Sequence, residues 1–159
     1  MRSSSEAETR AIARAVAAVL VPGDVVTLDG PLGAGKTVFV RGLAEALGVP
    51  ADARVSSPSY AIVHLYDGGR LPLAHLDLYR LGDEDELEGV GLRDLLAGDR
   101  VLLVEWPDRA PSLEGDTTLK VALRDEGRDA RVLALTALVP ELEAALEAAL
   151  APWAPVRGS

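Results

Sequence analysis

Apolar and polar positions follow two different periods along this chain, and each period predicts one class of secondary structure. Apolar residues recur at helical spacing over residues 6–20, 37–47 and 139–150, which predicts three amphipathic helices. Short helices are expected over residues 83–96, where acidic positions alternate with leucines. The first helix should end before Pro22-Gly23, because these two residues interrupt a helical backbone.

Short apolar and β-branched runs predict strands between and after these helices. They cover residues 25–28, 61–66, 71–78, 100–105, 118–123 and 131–136. The turn at 67–70 would join two strands as a hairpin, and the continuous apolar run at 100–105 is typical of a buried strand. We therefore predict a single α/β domain over residues 6–150, with a central mixed sheet flanked by helices in three layers. Residues 151–159 are expected to form a flexible tail.

A glycine-rich segment at residues 30–37 matches the pattern of glycine, four residues, glycine, lysine and a hydroxyl residue. It lies between a predicted strand and a predicted helix, as in the phosphate-binding loop of P-loop NTPases. Lys36 would reach the β and γ phosphates of ATP, and the Thr37 hydroxyl would ligate Mg²⁺. The backbone amides that would surround the phosphates belong to Leu32, Gly33, Ala34, Gly35, Lys36 and Thr37. The alternative is an ordinary glycine-rich turn with a surface lysine.

A magnesium–nucleotide site needs a carboxylate at the end of a core strand, and the sequence offers two. Asp77 and Glu105 each follow an apolar run, so both are candidates for magnesium binding and catalysis. Either one could instead be a solvated carboxylate at the end of a strand. Trp106-Pro107 directly after Glu105 would form a rigid exit that holds its side chain over the site, although Trp106 could equally be a core aromatic residue.

Two further features carry weaker signals. Residues 56–60 read Ser-Ser-Pro-Ser-Tyr and place hydroxyls where switch segments of nucleotide hydrolases sense the γ phosphate, but such a segment can also be only a loop. His64 and His75 lie in apolar alternating segments and are interpreted as structural residues. No zinc site can be built from them.

Composition excludes several classes of protein. The chain has no cysteine, and no run approaches the roughly 20 apolar residues that a membrane span requires. The first residues lack an apolar signal core, so we expect a cytoplasmic location and no membrane partner. A formal net charge of −9 repels nucleic-acid backbones, which disfavours direct tRNA contact without partners.

Several motifs occur in an order that resembles a known family. They read GDVVTLDGPLGAGKT, VSSPSY, LAHLDLYRLGDEDELEGVGLRDLL, VLLVEWPDR and GRDARVLAL. This order resembles the TsaE family, also called YjeE, of bacterial tRNA threonylcarbamoyladenosine biosynthesis proteins. The resemblance implies a slow, partner-stimulated ATPase that uses Mg²⁺, binds the TsaB and TsaD proteins, and supports transfer of a threonylcarbamoyl group to the adenosine beside the anticodon of tRNA.

The same resemblance implies roles for individual residues. Lys36 and Thr37 match the phosphate and magnesium contacts, and Asp77 matches the aspartate of the family's DLYR motif. Glu105 matches the glutamate to which magnesium binding and organisation of the attacking water are assigned. The match also places Thr9 near the nucleotide base and makes Arg128 a late nucleotide-contacting arginine.

Two positions depart from the family pattern. Pro31 stands where an acidic or polar residue is common, and Ser59 stands where threonine is common. Serine keeps the hydroxyl. Pro31 removes one backbone donor, but it should lie on the outer side of the loop, so nucleotide binding is expected to persist.

Two alternative functions stay open at this point. A small P-loop kinase would need an acceptor pocket and an arginine-bearing lid, for which Arg93, Arg100 and Arg109 are the available residues. A nucleotide-gated assembly factor would use ATP mainly to set its affinity for partners, with little intrinsic hydrolysis. A guanine-specific Asn-Lys-x-Asp motif is absent from the sequence, which favours adenine.

Overall fold

The computed structural model describes residues 1–50 and 63–154, and within them seven strands form one sheet. The strands are β1 (Arg2–Ser3), β2 (Val25–Asp29), β3 (Val63–Tyr66), β4 (Leu73–Asp77), β5 (Val101–Glu105), β6 (Leu119–Gly127) and β7 (Ala130–Ala137). Their order is β1-β7-β6-β2-β5-β4-β3. The β6–β2, β2–β5 and β5–β4 pairs are parallel, whereas the β3–β4, β6–β7 and β1–β7 pairs are antiparallel. The prediction of a mixed sheet is confirmed.

Helices cover both faces of this sheet. They are α1 (Glu6–Val19), α2 (Lys36–Leu47), α3 (Asp85–Gly89), α4 (Leu92–Ala97) and α5 (Pro140–Ala149). Short 3-10 helices occur at Pro107–Arg109, Pro111–Gly115 and Ala151–Trp153. All five α-helices lie in segments that the sequence pattern predicts to be helical, except that α2 begins and α4 ends one residue outside them. No helix of the described part of the chain is long and apolar enough to cross a membrane.

Two hydrophobic cores, one on each face of the sheet, define the three layers. On one face, α1, α2 and α5 pack against side chains such as Leu28, Leu103 and Leu133. On the other face, α3, α4 and the 3-10 helices pack against side chains such as Leu76 and Val104. Because strand residues alternate between faces, β5 contributes to both cores, which explains its continuous apolar sequence. The predicted three-layer α/β fold is confirmed.

Helix α1 begins at a side-chain cap and packs closely on α2. The Ser5 hydroxyl accepts a hydrogen bond from the Glu8 amide at 3.1 Å, and the Glu8 carboxylate accepts from the amide and the hydroxyl of Ser4, both at 2.7 Å. These bonds satisfy amide donors that the first turn leaves unpaired. A Cβ at Gly42 would lie 2.8 Å from the Arg10 backbone, so glycine permits the close contact between α1 and α2.

Three sequence-based predictions need correction or lie outside the described residues. Strand β1 was not predicted, although Ser3 pairs with Arg131 at the edge of the sheet. The expected flexible tail begins with a 3-10 helix, and Trp153 packs against the core beside α1 and α5. Residues 151–154 are therefore part of the fold, whereas residues 155–159 lie outside the described part of the chain. The possible switch segment 56–60, including Ser59, also lies outside it.

Candidate active site

The phosphate-binding loop connects the end of β2 to the start of α2. Its backbone passes through positive φ angles at Gly30 (151°), Gly33 (81°) and Gly35 (97°), which side-chain-bearing residues rarely adopt. The Ala34 amide donates to the Pro31 carbonyl at 3.1 Å, which tightens the turn. Pro31 itself is exposed, so this departure from the family pattern lies on the outer side of the loop, as expected.

Lys36 begins α2 and turns its side chain back over the loop. Its ammonium group donates to the Gly30 carbonyl and, at 3.0 Å, to the Pro31 carbonyl. Burial lowers the pKa of Lys36, while the charges of Glu105, Asp29 and Asp77 oppose this shift. The lysine charge therefore lies close to the loop and to three carboxylates, where a phosphate group would replace the carbonyl oxygens as its partner.

Trp106 forms one wall of this site. Its ring centroid lies 4.4 Å from the Lys36 ammonium, in a cation–π contact, and 4.9 Å from the ring centroid of Tyr79. The Trp106 backbone has φ 59° and ψ 55°, a left-handed conformation that costs a residue with a side chain roughly 1–2 kcal/mol. Such strained positions concentrate at functional sites. Trp106 also packs against the second hydrophobic core, so the structure supports both roles that the sequence allows for it.

Asp77 and Glu105 lie side by side at the carboxyl ends of two parallel strands. They are register partners on β4 and β5, and Glu105 is also the register partner of Leu28 on β2, just before the phosphate loop. The Asp77 carboxylate accepts a hydrogen bond from the Tyr79 amide at 3.0 Å. Three adjacent strand ends thus bring the loop and both predicted carboxylates to one edge of the sheet, where α/β proteins bind their ligands.

Glu105 has a partner that sequence reasoning missed. Its Oε1 atom lies 2.9 Å from Nε2 of His75, and the side chains are only 4% and 1% exposed. The sequence contains a signal for this pair, because residues two apart on a strand share a face. His75 therefore points to the same face as Asp77, next to β5, and its earlier interpretation as a purely structural residue is incomplete.

Arg131 is the second residue that sequence reasoning missed. It lies directly against the phosphate loop, since a Cβ on Gly35 would be 2.6 Å from the Arg131 Cδ. The guanidinium is 9% exposed; Nη1 donates to the Asp129 carbonyl, and Nη2 is 3.8 Å from Glu6. Its Nε atom has no hydrogen-bond partner among the described residues. A buried cation with an unused donor next to the predicted phosphate-binding loop suits recognition of phosphate.

The two nucleotide contacts that the family resemblance implies have different surroundings. Arg128 is exposed in the β6–β7 turn, with φ 52°. Thr9 is fully buried in α1, where its hydroxyl is 2.7 Å from the Ser3 hydroxyl and donates to the Ser5 carbonyl at 3.1 Å. Their roles in nucleotide binding stay predictions, and Arg131 is the arginine that lies against the loop.

The oxygen atoms at this edge suit a magnesium ion. Thr37 supplies a hydroxyl at the first turn of α2, and Asp77 and Glu105 supply carboxylates; Mg²⁺ prefers such hard oxygen ligands. The described residues contain no cluster of three or more histidine, cysteine or acidic side chains that could hold a metal ion. Mg²⁺ is usually bound by one or two carboxylates together with the phosphates of its substrate, and the Thr37 hydroxyl and the two carboxylates at this edge fit that arrangement.

Comparison with known proteins decides the family. The sequence model of the family described as threonylcarbamoyl adenosine biosynthesis protein TsaE matches residues 3–133. The chain belongs to the TsaE family. The TsaE match includes the phosphate loop, both strand-end carboxylates, His75 and Arg131.

Individual members of the TsaE family are similar over most of their length. The tRNA threonylcarbamoyladenosine biosynthesis protein TsaE of Bacillus subtilis is 42% identical over 137 residues, covering 86% of this chain and 84% of the relative. The protein of the same name from Haemophilus influenzae is 36% identical over 116 residues, or 72% of each chain. The crystal structure of Bacillus subtilis YdiB matches with a TM-score of 0.74 and 34% identity, covering 97% of this chain and 95% of that one.

Proposed function

We propose that this protein binds Mg²⁺–ATP at residues 30–37 and hydrolyses it in support of threonylcarbamoyladenosine formation on tRNA. The observation that carries the proposal is the convergence of the phosphate loop, Lys36, Asp77 and Glu105 at one edge of the sheet. Membership of the TsaE family supplies the biological context. The Bacillus subtilis and Haemophilus influenzae relatives are both named as tRNA threonylcarbamoyladenosine biosynthesis proteins.

Binding would use groups that are already arranged around the loop. The amides of the loop and of the first turn of α2 would surround the phosphates at the positive end of the helix, and the Ala34 amide would exchange its bond to the Pro31 carbonyl for a phosphate oxygen. Lys36 would exchange the carbonyls of Gly30 and Pro31 for phosphate oxygens, a stronger charge-assisted contact. Arg131 would add a second cation beside Gly35.

Hydrolysis would depend on positioning rather than on a covalent intermediate. A water oxygen attacks the γ phosphorus, the bond to the β–γ bridging oxygen breaks, and that oxygen leaves with ADP. One proton of the water stays on the new phosphate, and the other passes to a phosphate oxygen. In this proposal Glu105 accepts a hydrogen bond from the water and holds it in line with that bond. Lys36 stabilises charge on the phosphate oxygens. A magnesium ion held by Thr37, Asp77 and Glu105 would supply electrostatic stabilisation of the same phosphates.

The surroundings of the loop favour action with protein partners. Leu32 is 69% exposed within the loop, and Tyr79 is 42% exposed beside Trp106. Apolar side chains at the rim of a polar site are typical of surfaces that a partner covers. We propose that TsaB and TsaD, the partners implied by the family resemblance, cover this rim and stimulate turnover. The net charge of −9 makes direct capture of tRNA the weaker alternative.

The kinase alternative gains no support from the positions of its candidate arginines. Arg93 pairs with Glu88 at 2.9 Å on an exposed surface, and Arg100 pairs with Asp67. Arg109 donates to the carbonyl of Leu81 at 3.4 Å. These three arginines lie in separate environments, whereas a kinase lid would direct them toward a shared phosphate.

The direct test is Mg²⁺-dependent ATP hydrolysis by the purified protein, alone and with TsaB and TsaD. Lys36→Ala should weaken ATP binding, and Glu105→Ala should abolish phosphate release while retaining binding. Turnover that rises with partners and is lost in both variants would support the proposal. Tight ATP binding without phosphate release under any condition would instead support the nucleotide-gated assembly factor.

A further inference from the structure

The buried contact between His75 and Glu105 has no role in the function proposed above. Nε2 of His75 and Oε1 of Glu105 are 2.9 Å apart, and both side chains are more than nine-tenths buried. The Nδ1 atom of His75 has no hydrogen-bond partner among the described residues. The hydrogen bond to Glu105 is therefore the polar contact that fixes the orientation of this imidazole.

The chemistry of the pair assigns the direction of this hydrogen bond. A carboxylate accepts hydrogen bonds, so Nε2 carries the hydrogen and donates it to Oε1. One carboxylate oxygen is then committed to the imidazole. The other oxygen, Oε2, keeps its capacity to accept a hydrogen bond from water or to bind a metal ion. Without this donor, the buried Glu105 carboxylate would lose a partner and could rotate about its side-chain bonds.

The strand register explains why a histidine at position 75 can serve Glu105. Asp77 is the register partner of Glu105, and His75 precedes Asp77 by two residues on the same face of β4. A long planar side chain at position 75 reaches along the sheet to the carboxylate on β5. Strand β4 thus presents two polar side chains to the site. Asp77 is a candidate magnesium ligand, and His75 contacts Glu105.

We propose that His75 is a positioning residue for Glu105, which holds Oε1 so that Oε2 faces the bound nucleotide and its metal ion. The inference rests on the proposed ATPase function and deepens it. His75 touches neither nucleotide nor metal in this account. It acts by orienting a ligand, as residues behind metal-binding side chains commonly do.

Replacements at position 75 separate positioning from simple packing. His75→Leu fills the buried space but removes the donor, whereas His75→Gln places an amide N–H near the position of Nε2. His75→Leu should lower kcat for ATP hydrolysis by about tenfold to a hundredfold, with KM for ATP changed less than about threefold. His75→Gln should recover most of kcat. Equal losses in both variants, or a loss confined to KM, would overturn the proposal.

His64 provides a matched control on the neighbouring strand. It is the register partner of His75, and its Nδ1 lies 3.4 Å from the Tyr66 hydroxyl rather than near Glu105. His64→Leu should leave kcat unchanged. In a Glu105→Gln background, His75→Leu should cause little further loss of kcat, because the group that it orients has already been altered. If the double variant instead loses kcat by the product of the two single losses, His75 acts through packing and not through Glu105.

A second measurement does not require hydrolysis. Titration of Mg²⁺ into the full chain with a non-hydrolysable ATP analogue should give an apparent Mg²⁺ affinity about tenfold weaker in His75→Leu and nearly normal in His75→Gln. If the wild type binds the analogue and Mg²⁺ but releases no phosphate from ATP, the ATPase proposal fails while this titration still decides the role of His75. Unchanged Mg²⁺ affinity in His75→Leu would overturn the positioning role of His75.

A measurement on the wild type covers the case in which His75→Leu does not fold. The chain has two histidines, so ¹⁵N labelling of both imidazoles gives a simple spectrum that His64→Leu assigns. His75 should show the tautomer protonated at Nε2, and its Nε2–H resonance should shift in Glu105→Gln. Protonation at Nδ1 alone, or a resonance insensitive to the change at Glu105, would contradict the inferred hydrogen bond.

Discussion

The Lys36 ammonium lies 4.4 Å from the centroid of the Trp106 ring while it donates to carbonyls of its own loop. The cation that would bind phosphate is therefore held by contacts within the protein itself. When a nucleotide binds, Lys36 has to exchange these contacts for phosphate oxygens. Loss of the cation–π contact would cost on the order of 1 kcal/mol. Because Trp106 contacts the lysine of the loop, its fluorescence can report on changes at the loop.

We expect the fluorescence of Trp106 to change when Mg²⁺–ATP binds, because its neighbouring cation moves. The chain has two tryptophans, so Trp153→Phe leaves Trp106 as the reporter. The converse variant, Trp106→Phe, retains Trp153 against the core beside α5 and should show no nucleotide-dependent change. A response carried by Trp153 instead would contradict the proposed movement at the loop.

Alanine at Gly35 should destabilise the protein more than alanine at Gly33. Both positions have left-handed backbones, which penalise alanine by roughly 1–2 kcal/mol, but only Gly35 has Arg131 against it. We expect an additional loss of about 1–3 kcal/mol in Gly35→Ala from overpacking, measured by chemical denaturation. Arg131→Ala should relieve part of that additional loss. Equal destabilisation by the two glycine substitutions would contradict the close contact.

Arg131→Ala should weaken ATP binding about tenfold, equivalent to roughly 1.4 kcal/mol, because a charge-assisted phosphate contact is lost. The matched variant is Arg128→Ala, three residues earlier in the exposed turn. Equilibrium binding of a fluorescent ATP analogue would compare them. If Arg128→Ala causes the larger loss, the assignment from family resemblance is correct and the inference from the position of Arg131 is wrong.

The cap of α1 makes stability depend on pH in the acid range. Hydrogen bonds from the Ser4 side chain and backbone hold the pKa of Glu8 below its ordinary value. The folded state therefore favours the ionised carboxylate. The contribution of this carboxylate to the free energy of unfolding is fully present above the unfolded pKa of about 4.3 and is lost as pH falls through the folded pKa. Glu8→Gln should cost about 0.5–1 kcal/mol at pH 7.

Thermal unfolding at several pH values checks this expectation. The difference in unfolding free energy between wild type and Glu8→Gln should shrink as the solution becomes acid. Glu143→Gln, in the first turn of α5, controls for the general effect of a negative charge at a helix start. If the difference in unfolding free energy between wild type and Glu8→Gln persists unchanged below the folded pKa, the charge of the Glu8 carboxylate does not cause the difference.

The sequence predicts those parts of the fold and site that depend on local pattern. Helical periodicity identifies α1 and α2, the glycine pattern identifies the phosphate loop, and apolar runs identify β2 and β5 with a carboxylate at the end of β5. These features depend on residues close together in sequence. The order of the strands depends on contacts between residues far apart in sequence. The pairing of β1 could not be predicted, because an edge strand of two residues has no periodic pattern.

Tertiary contacts account for what the sequence does not predict. Arg131 reaches Gly35 because β7 and the loop meet in the folded sheet, nearly a hundred residues apart along the chain. His75 contacts Glu105 because β4 and β5 are parallel neighbours in one register. The positive φ of Trp106 opposes the local preference of a residue before proline, which favours extended backbone. Such conflicts between local preference and structure are expected where function imposes the geometry.

The central claim is that Glu105 supports ATP hydrolysis at this site. Its most direct test is single-turnover phosphate release with Mg²⁺–ATP in the presence of the proposed partners TsaB and TsaD. The comparison is among wild type, Glu105→Gln and Glu114→Gln, the last altering an exposed carboxylate paired with Lys120. We predict that Glu105→Gln binds ATP but releases phosphate about a hundredfold more slowly, while Glu114→Gln matches wild type. Phosphate release at the wild-type rate by Glu105→Gln would contradict the account.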